Sequence, residues 1–108
     1  MAARSSDVDN GRMGATLSDG EIEQACARLS GWTREGEQIV KWYELASFRD
    51  AITFVSSIAD AAEAADHHPD LDIRYRRVRV ALSTHDAGGI TRKDIDLAKE
   101  IEAAVPPT

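Results

Sequence analysis

Residues 63–85 read EAADHHPDLDIRYRRVRVALSTH, and this stretch decides which fold the sequence predicts. After Pro69, two short runs alternate apolar with polar residues, which is typical of strands with one buried face. The apolar positions are odd-numbered in the first run and even-numbered in the second: Leu71, Ile73 and Tyr75, then Val78, Val80 and Leu82. One continuous strand would turn half of these side chains to the wrong face, because successive side chains alternate.

A β-hairpin with a two-residue loop at Arg76 and Arg77 removes this conflict. Tyr75 then pairs with Val78, and both side chains lie on the same face. The alternative is a bulge within one long strand. It stays open, since the loop contains neither the Gly nor the Asn that two-residue turns favour.

The chain contains three histidines, His67, His68 and His85, and the hairpin predicts that they meet. Its register extrapolates to His68 opposite His85, where directly opposed Cα atoms lie roughly 4.5–5.5 Å apart. Glu63 lies about one helical turn before His67, so its carboxylate would hold that imidazole. Because imidazoles titrate near neutral pH, several at one place can move protons to and from a substrate. The three histidines are therefore the candidate catalytic residues of an acid–base site.

Two other interpretations of the histidines stay open. Adjacent histidines at a helix end are often only polar loop residues, although the convergence of a third one favours a site. Three imidazoles can also bind zinc, but neighbouring side chains in extended chain point apart, which weighs against His67 and His68 as joint ligands. A purely structural role is also possible for Asp94, because it is the N3 residue of a helix capped by Thr91 and could only complete that capping box.

The flanking sequence predicts three helices and a second hairpin. A capping-box pattern of Ser18 with Glu21 begins a helix over about residues 19–29. Strands over residues 32–35 and 38–46 follow, joined by a Gly-Glu turn.

The second helix begins after Ser47 and ends near Asp66 or His67, because Pro69 disfavours helical geometry in the residue before it. Its apolar stripe is predicted to cover one sheet face: Phe48, Ile52, Val55, Ile58, Ala59 and Ala62. The last helix follows Thr91 and ends before two prolines. Its predicted buried stripe is Ile95, Ala98, Ile101 and Val105.

The order α-β-β-α-β-β-α predicts an α+β fold of two layers, a four-stranded antiparallel sheet with three helices on one face. A single domain over residues 17–105 contains these elements. Residues 1–16 are polar and without periodicity, which predicts a disordered tail. The second sheet face is then bare, with Val40 and Trp42 on it, so we expect a homodimer or homotetramer.

Composition argues against several classes of protein. The 108 residues carry a formal net charge of -6, which argues against binding nucleic acid through its phosphates. No stretch approaches the roughly 20 apolar residues of a membrane span. The first residues lack the apolar core of a secretory signal, so we expect a cytoplasmic protein. The one cysteine, Cys26, argues against a disulfide or a multi-cysteine metal site.

Although the chain as a whole is acidic, one short stretch contains four arginines: Arg74, Arg76, Arg77 and Arg79. A solvated face is the favoured interpretation, because exposed arginine is common. A site for an anion or a partner protein is the alternative.

The residues of the candidate site resemble the signature of the pterin carbinolamine dehydratase family. That signature is an acidic residue, then His-His-Pro, an aromatic residue, a histidine and an aspartate at set spacings. The chain matches each position in the pattern Glu63-x3-His67-His68-Pro69-x5-Tyr75-x9-His85-x8-Asp94. The likeness covers roughly residues 17–104, and the number of fixed positions makes it far more specific than a short motif.

The resemblance implies dehydration of 4a-hydroxytetrahydropterin to quinonoid dihydropterin, by dimers or tetramers, without a metal or nucleotide cofactor. By position, His67 and His85 would be the acid–base pair, and His68 a binding or proton-relay residue. Glu63 would orient His67. The residues expected to line or support the pocket are Asp66, Ser83, Thr84 and Asp94.

The resemblance also implies an alternative function of a different class. Some mammalian members bind the dimerisation helix of a transcription factor, so a non-catalytic protein-binding module is the second hypothesis. Such a function would not require the histidines, and a histidine-null variant would therefore distinguish the two.

Overall fold

The computed structural model describes residues 15–106 and has the predicted α+β order. Its elements are α1 (Asp19–Arg28), β1 (Thr33–Glu35), β2 (Gln38–Glu44), α2 (Phe48–Ala65), β3 (Asp70–Arg74), β4 (Arg77–Leu82), a 3₁₀ turn (His85–Ala87) and α3 (Arg92–Ala104). The strands form one antiparallel sheet in the order β1-β2-β4-β3. None of the helices in this part of the chain is long and apolar enough to cross a membrane.

The predicted tail falls mostly on residues 1–14, outside the described residues. Its last residue, Thr16, forms an isolated antiparallel bridge with Thr91. The backbone N–H of Leu17 donates to Ile90 at 2.9 Å. The chain therefore enters the fold beside the start of α3.

The core lies between the helices and one face of the sheet. The odd-numbered residues of β2 and the even-numbered residues of β4 share this face, because Ile39 pairs with Leu82 and Tyr43 with Val78. Each of these four side chains is buried. The ring of Tyr43 contacts Phe54 of α2 edge-on, with centroids 4.8 Å apart. Burial of apolar area on this scale is the main stabilising term of such a domain.

The hairpin of β3 and β4 forms, but its register differs from the predicted one by two residues. Arg74 pairs with Arg77, so the turn residues are Tyr75 and Arg76. Tyr75 has a φ of 55°, in the left-handed region that the favoured two-residue turns use. The sequence does not indicate this conformation for Tyr75, because Gly, Asn and Asp are the residues that adopt it readily.

This change of register keeps each strand residue on its predicted face, since a shift of two preserves the alternation. It does move the histidines. Extended past the last pair, Asp70 with Ala81, the observed register brings His68 opposite Ser83 rather than His85. The predicted pairing of His68 with His85 is therefore wrong.

The buried stripe of α2 matches the predicted one only in part, because Ile58 and Ala62 are buried as predicted but other positions differ. The residues that face the sheet are Ala51, Phe54, Ile58 and Ala62. Phe48 and Ile52 are 51% and 41% exposed. Apolar residues cover more than one flank of this helix, so periodicity alone does not determine which flank packs on the sheet.

Charged side chains lie on the sheet face opposite the core. Arg79 donates to Glu35 at 3.0 Å, and the guanidinium of Arg77 lies 4.5 Å from the ring centroid of Trp42. Val40 is buried within the single chain. The predicted apolar patch around Val40 and Trp42 is therefore smaller than expected: Val40 is covered, whereas Trp42 stays 41% exposed beside Arg77.

The two remaining arginines of the cluster also have partners. Arg74 pairs with Asp72 at 2.8 Å and Arg76 with Glu44 at 2.9 Å. A cluster in which every guanidinium is engaged favours the solvated-face interpretation over an anion site.

Glu102 fixes the far end of α3 to the sheet. Its Oε2 accepts from Lys41 Nζ at 2.7 Å, Trp32 Nε1 at 3.1 Å and the Tyr43 hydroxyl. Lys41 also donates to the backbone carbonyl of Ser30 at 2.6 Å. Partial burial alone would raise the pKa of the Glu102 carboxyl, but these hydrogen bonds outweigh it and hold the pKa below its ordinary value.

We expect Glu102→Gln to lower the free energy of unfolding by about 1–2 kcal/mol at pH 7, because three charge-assisted hydrogen bonds weaken. A depressed folded-state pKa gives stability that is present in full above the ordinary carboxyl value and lost as pH falls through the folded value. The difference between variant and wild type should therefore shrink in acid. Urea unfolding across pH measures it, with Glu100→Gln on the same helix as the control. Equal stabilities at pH 7 would contradict this role.

Candidate active site

The end of α2 sets the positions of two histidines. The N–H of His67 donates to Ala62 O at 3.0 Å and that of Asp66 to Glu63 O at 3.2 Å. This is the Schellman pattern, with Asp66 in the left-handed position that glycine usually takes. Asp tolerates this geometry better than most residues. The helix therefore ends where predicted and turns the chain directly into the histidine pair.

His67 is held by a buried carboxylate from α3. Its Nε2 lies 2.6 Å from Oδ1 of Asp94, and the Asp94 side chain is fully buried. The other oxygen, Oδ2, accepts from the Thr84 hydroxyl and from the backbone N–H of Thr91, each at 2.9 Å. Three donors thus surround the carboxylate, as a buried charge requires.

The two threonines extend this network in a defined direction. The Thr84 hydroxyl gives its single proton to Asp94, so the contact of 2.8 Å between Thr84 and Thr91 has Thr91 as the donor. Thr91 Oγ1 then accepts from the backbone N–H of Lys93 at 3.2 Å. Asp94 therefore has both of the roles considered for it: it completes the cap of α3, and it binds His67 at the pocket.

His68 pairs with Glu63 rather than with Asp94. Its Nε2 lies 2.6 Å from Oε2 of Glu63, and both side chains are largely exposed. The prediction that Glu63 orients His67 is wrong. The left-handed Asp66 ends the helix before His67, so the spacing of one helical turn does not extend to that side chain.

His85 begins the 3₁₀ turn that follows β4. This turn is closed by the Thr84 N–H donating to Gly89 O at 2.9 Å and the Gly88 N–H to Thr84 O at 3.0 Å. The closed loop brings His85 beside the end of α2. One pocket of about 230 Å³ is lined by Asp66, His67, His68, Ser83, Thr84, His85, Asp86 and Lys93.

The structure brings together the residues that the sequence singled out. Some of them line the pocket, and others bind the residues that line it. All three histidines line the pocket with Asp66, Ser83 and Thr84. Asp94 and Glu63 lie behind them, each bonded to one imidazole. The Ser83 hydroxyl is engaged with Glu37 O at 2.7 Å, so it ties the turn after β1 to the pocket edge.

Sequence reasoning missed Lys93 as a pocket residue and Thr91 as a site partner. Thr91 was identified only as a helix cap. Its place in the network depends on Thr84, seven residues earlier, which no local pattern relates to it. Lys93 precedes Asp94 at the start of α3 and reaches the pocket because Asp94 is turned inward.

In residues 15–106, no group of three or more His, Cys, Asp or Glu side chains is arranged to hold a metal ion. His67 and His68 each direct Nε2 to a different carboxylate. His67 and His68 therefore do not direct Nε2 to a common point, as joint zinc ligands would.

Comparison with known proteins shows the family of this chain. The family model described as pterin 4 alpha carbinolamine dehydratase matches residues 15–104. The chain belongs to this family. The match includes every residue of the pocket and both carboxylates behind it.

Named relatives agree with this membership. A protein of Roseiflexus castenholzii, provisionally named as a pterin-4-alpha-carbinolamine dehydratase, is 55% identical over 93 residues, which are 86% of this chain and all of that protein. A protein of Nostoc with the same provisional name is 47% identical over 89 residues, 82% of this chain and 96% of that one.

Two solved structures share the fold. The transcriptional coactivator/pterin dehydratase from Brucella melitensis has a TM-score of 0.81 and 33% identity, over 84% of this chain and 99% of that one. A pterin dehydratase-like protein, described as a RuBisCO assembly factor in the alpha-carboxysome, has a TM-score of 0.61 over 72% of this chain and 93% of that one. At 17% identity, the second shows the fold alone.

We expect Asp94→Asn to move the proton of neutral His67 from Nε2 to Nδ1, because an amide N–H in place of Oδ1 would donate to Nε2. Loss of a buried, triply bonded carboxylate should also cost about 2 kcal/mol of stability. Nitrogen-15 NMR of the imidazoles measures the tautomer. The control is Asp96→Asn, an exposed position on the same helix. A wild-type tautomer in the Asp94→Asn variant would exclude this role for the carboxylate.

Proposed function

We propose that this protein is a 4a-hydroxytetrahydropterin dehydratase, a hydro-lyase that forms quinonoid dihydropterin and water by general acid–base catalysis. The observation that carries the proposal is the buried pairing of His67 with Asp94 at a pocket that His68 and His85 also line. Family membership supports the same substrate class.

The reaction requires two proton transfers. The bond from the ring carbon to the hydroxyl oxygen breaks, and that oxygen must receive a proton to leave as water. A ring nitrogen must lose a proton as the new double bond to the carbon forms. Positioned imidazoles can perform both transfers, each worth on the order of 10²–10⁴ in rate. The reaction therefore fits a pocket with several histidines.

His67 suits the role of base in this scheme. The carboxylate of Asp94 can only accept, so Nε2 of neutral His67 carries the proton and Nδ1 carries the lone pair. When Nδ1 takes a proton from the substrate, the buried carboxylate stabilises the imidazolium that results. Desolvation of Asp94 strengthens that interaction, since little water competes for it.

His85 suits the role of acid, and His68 that of a binding or relay residue. His85 is exposed at the pocket edge on a short closed loop, where it can exchange protons with solvent between turnovers. His68 is held on the surface by Glu63. Such an exposed pair restricts the imidazole only weakly, so we assign His68 the smaller share of the rate.

We expect His67→Ala and His85→Ala each to lower the dehydration rate at least about tenfold, because each removes one of the two proton transfers. Stopped-flow absorbance with synthetic carbinolamine measures the rate, and circular dichroism checks the fold. Wild-type samples with and without chelator test the zinc alternative at the same time. Wild-type rates in both variants, or loss of wild-type activity on chelation, would overturn the assignment.

A protein-binding module is the second candidate function. The Brucella structure that this chain resembles is described as a coactivator as well as a dehydratase. The exposed apolar flank of α2, with Phe48 and Ile52, is the surface that favours such a role. The flank lies outside the pocket, so a variant that lacks the histidines would retain this function and lose the enzymatic one.

We also propose that the protein forms a homodimer or homotetramer. Exposed large apolar side chains lie on α2 and on the edge strand β3, namely Phe48, Ile52, Leu71 and Ile73. Among residues 15–106, β3 pairs with β4 on one side only, so its other edge can bind a strand from a second copy. Exposed apolar side chains and an unpaired strand edge both suit a symmetric pair of copies.

Light scattering at micromolar concentration should therefore give a mass at least twice 11.8 kDa. Ile52→Glu or Ile73→Glu should shift the mass toward the monomer, because a charge would be buried in the contact. Asp60→Asn, elsewhere on α2, serves as the control. A wild-type mass near 11.8 kDa would show that these side chains stay in water.

A further inference from the structure

A second cavity adjoins the pocket of the histidines. It holds about 500 Å³ and lies between the end of α2 and the solvent side of α3. His67 and Lys93 line both this cavity and the histidine pocket, so the two meet at those side chains. We call the second cavity the α2–α3 groove. The remaining residues that line it are Ala65, Asp96, Leu97, Lys99 and Glu100.

The histidine pocket alone is small for a substituted pterin. It holds about 230 Å³, whereas pockets that enclose drug-sized ligands hold roughly 300–1,000 Å³. A substrate whose ring system occupies that pocket must extend any long substituent beyond it. The groove begins at His67 and has more than enough space for such a group.

The lining of the groove indicates the chemistry of its occupant. Ala65 and the aliphatic stems of Lys93 and Lys99 provide apolar surface above the buried Leu97, on which a flat or aliphatic body can pack. The rim of the groove carries both positive and negative charges, from Lys93, Lys99, Asp96 and Glu100. None of these four side chains is in an ion pair within residues 15–106. Their donors and acceptors are therefore available for a polar chain end.

We infer that the α2–α3 groove binds the ring substituent of the substrate, and that the preferred substrates are reduced pterins with an elongated, aryl-containing, carboxylate-terminated substituent. This inference rests on the proposed dehydratase function. The aryl body packs on Ala65 and the lysine stems above Leu97, and the terminal carboxylate accepts from Lys99. Amide N–H groups along the substituent donate to the acidic side chains of the rim.

The test compares two stable ligands that share a dihydropterin ring. 7,8-Dihydrofolate has an elongated substituent of the inferred class, and 7,8-dihydrobiopterin has a short hydroxylated one. We expect wild-type protein to bind dihydrofolate about tenfold more tightly by isothermal titration calorimetry, a difference of about 1.4 kcal/mol. Part of this preference should weaken with added salt, because the lysine contacts are exposed.

Two variants locate the preference in the groove. Ala65→Phe places a ring in the groove, so it should abolish most of the preference while dihydrobiopterin binds as before. Ala64→Phe, one position away on the exposed side of α2, is the control. Lys99→Gln should weaken dihydrofolate binding by roughly threefold to fivefold, the effect of one exposed ion pair. Arg49→Gln is its control, with the same change of charge on α2.

The outcomes separate this inference from the proposed function. Equal binding of both ligands by wild type, or an unchanged preference in Ala65→Phe, overturns the groove inference and leaves the dehydratase proposal intact. Failure of both ligands to bind, with no dehydration of synthetic carbinolamine, overturns both. A change in the mass of Ala65→Phe by light scattering, with ligand affinities unchanged, identifies the groove as a subunit contact and also overturns the inference.

Discussion

The carboxylate of Asp94 is the point at which three separate parts of the chain are joined. It binds His67 from the end of α2, the hydroxyl of Thr84 that follows β4, and the backbone of Thr91 at the start of α3. A buried carboxylate has a large desolvation cost, and each of these donors offsets part of it. Because no one of them suffices, the arrangement is stable only when all three segments are in place.

This constraint links folding to the candidate chemistry. The same hydrogen bonds that satisfy the buried charge also set which nitrogen of His67 carries the proton. Thr84 leads directly into His85, and Thr91 leads into Lys93, so the network also positions the rest of the pocket. At the other end of α3, Glu102 receives three donors from β2 and the segment before β1. The helix is thus hydrogen-bonded to the rest of the fold at both ends.

The outer surfaces divide into two kinds. The open face of the sheet is charged, and its arginines are paired with acids or lie on Trp42. The flank of α2 and the edge strand β3 instead expose apolar side chains. A face whose charges are already paired gains little from a new partner, whereas an exposed apolar flank gains from being covered. Protein contacts are therefore expected at α2 and β3, away from the open sheet face.

The sequence by itself determined the order of the helices and strands, the ends of the helices, and which histidines belong to the candidate site. These depend on local physics, namely capping by Ser18, Ser47 and Thr91 and the alternation of side chains along strands. The tertiary structure decided the hairpin register, the flank of α2 that is buried and the partner of each histidine. A two-residue shift preserves every face, so alternation cannot detect it. The pairing of His67 with Asp94 joins residues 27 apart, and its driving force, the burial of a charge, exists only once α3 packs against the end of α2.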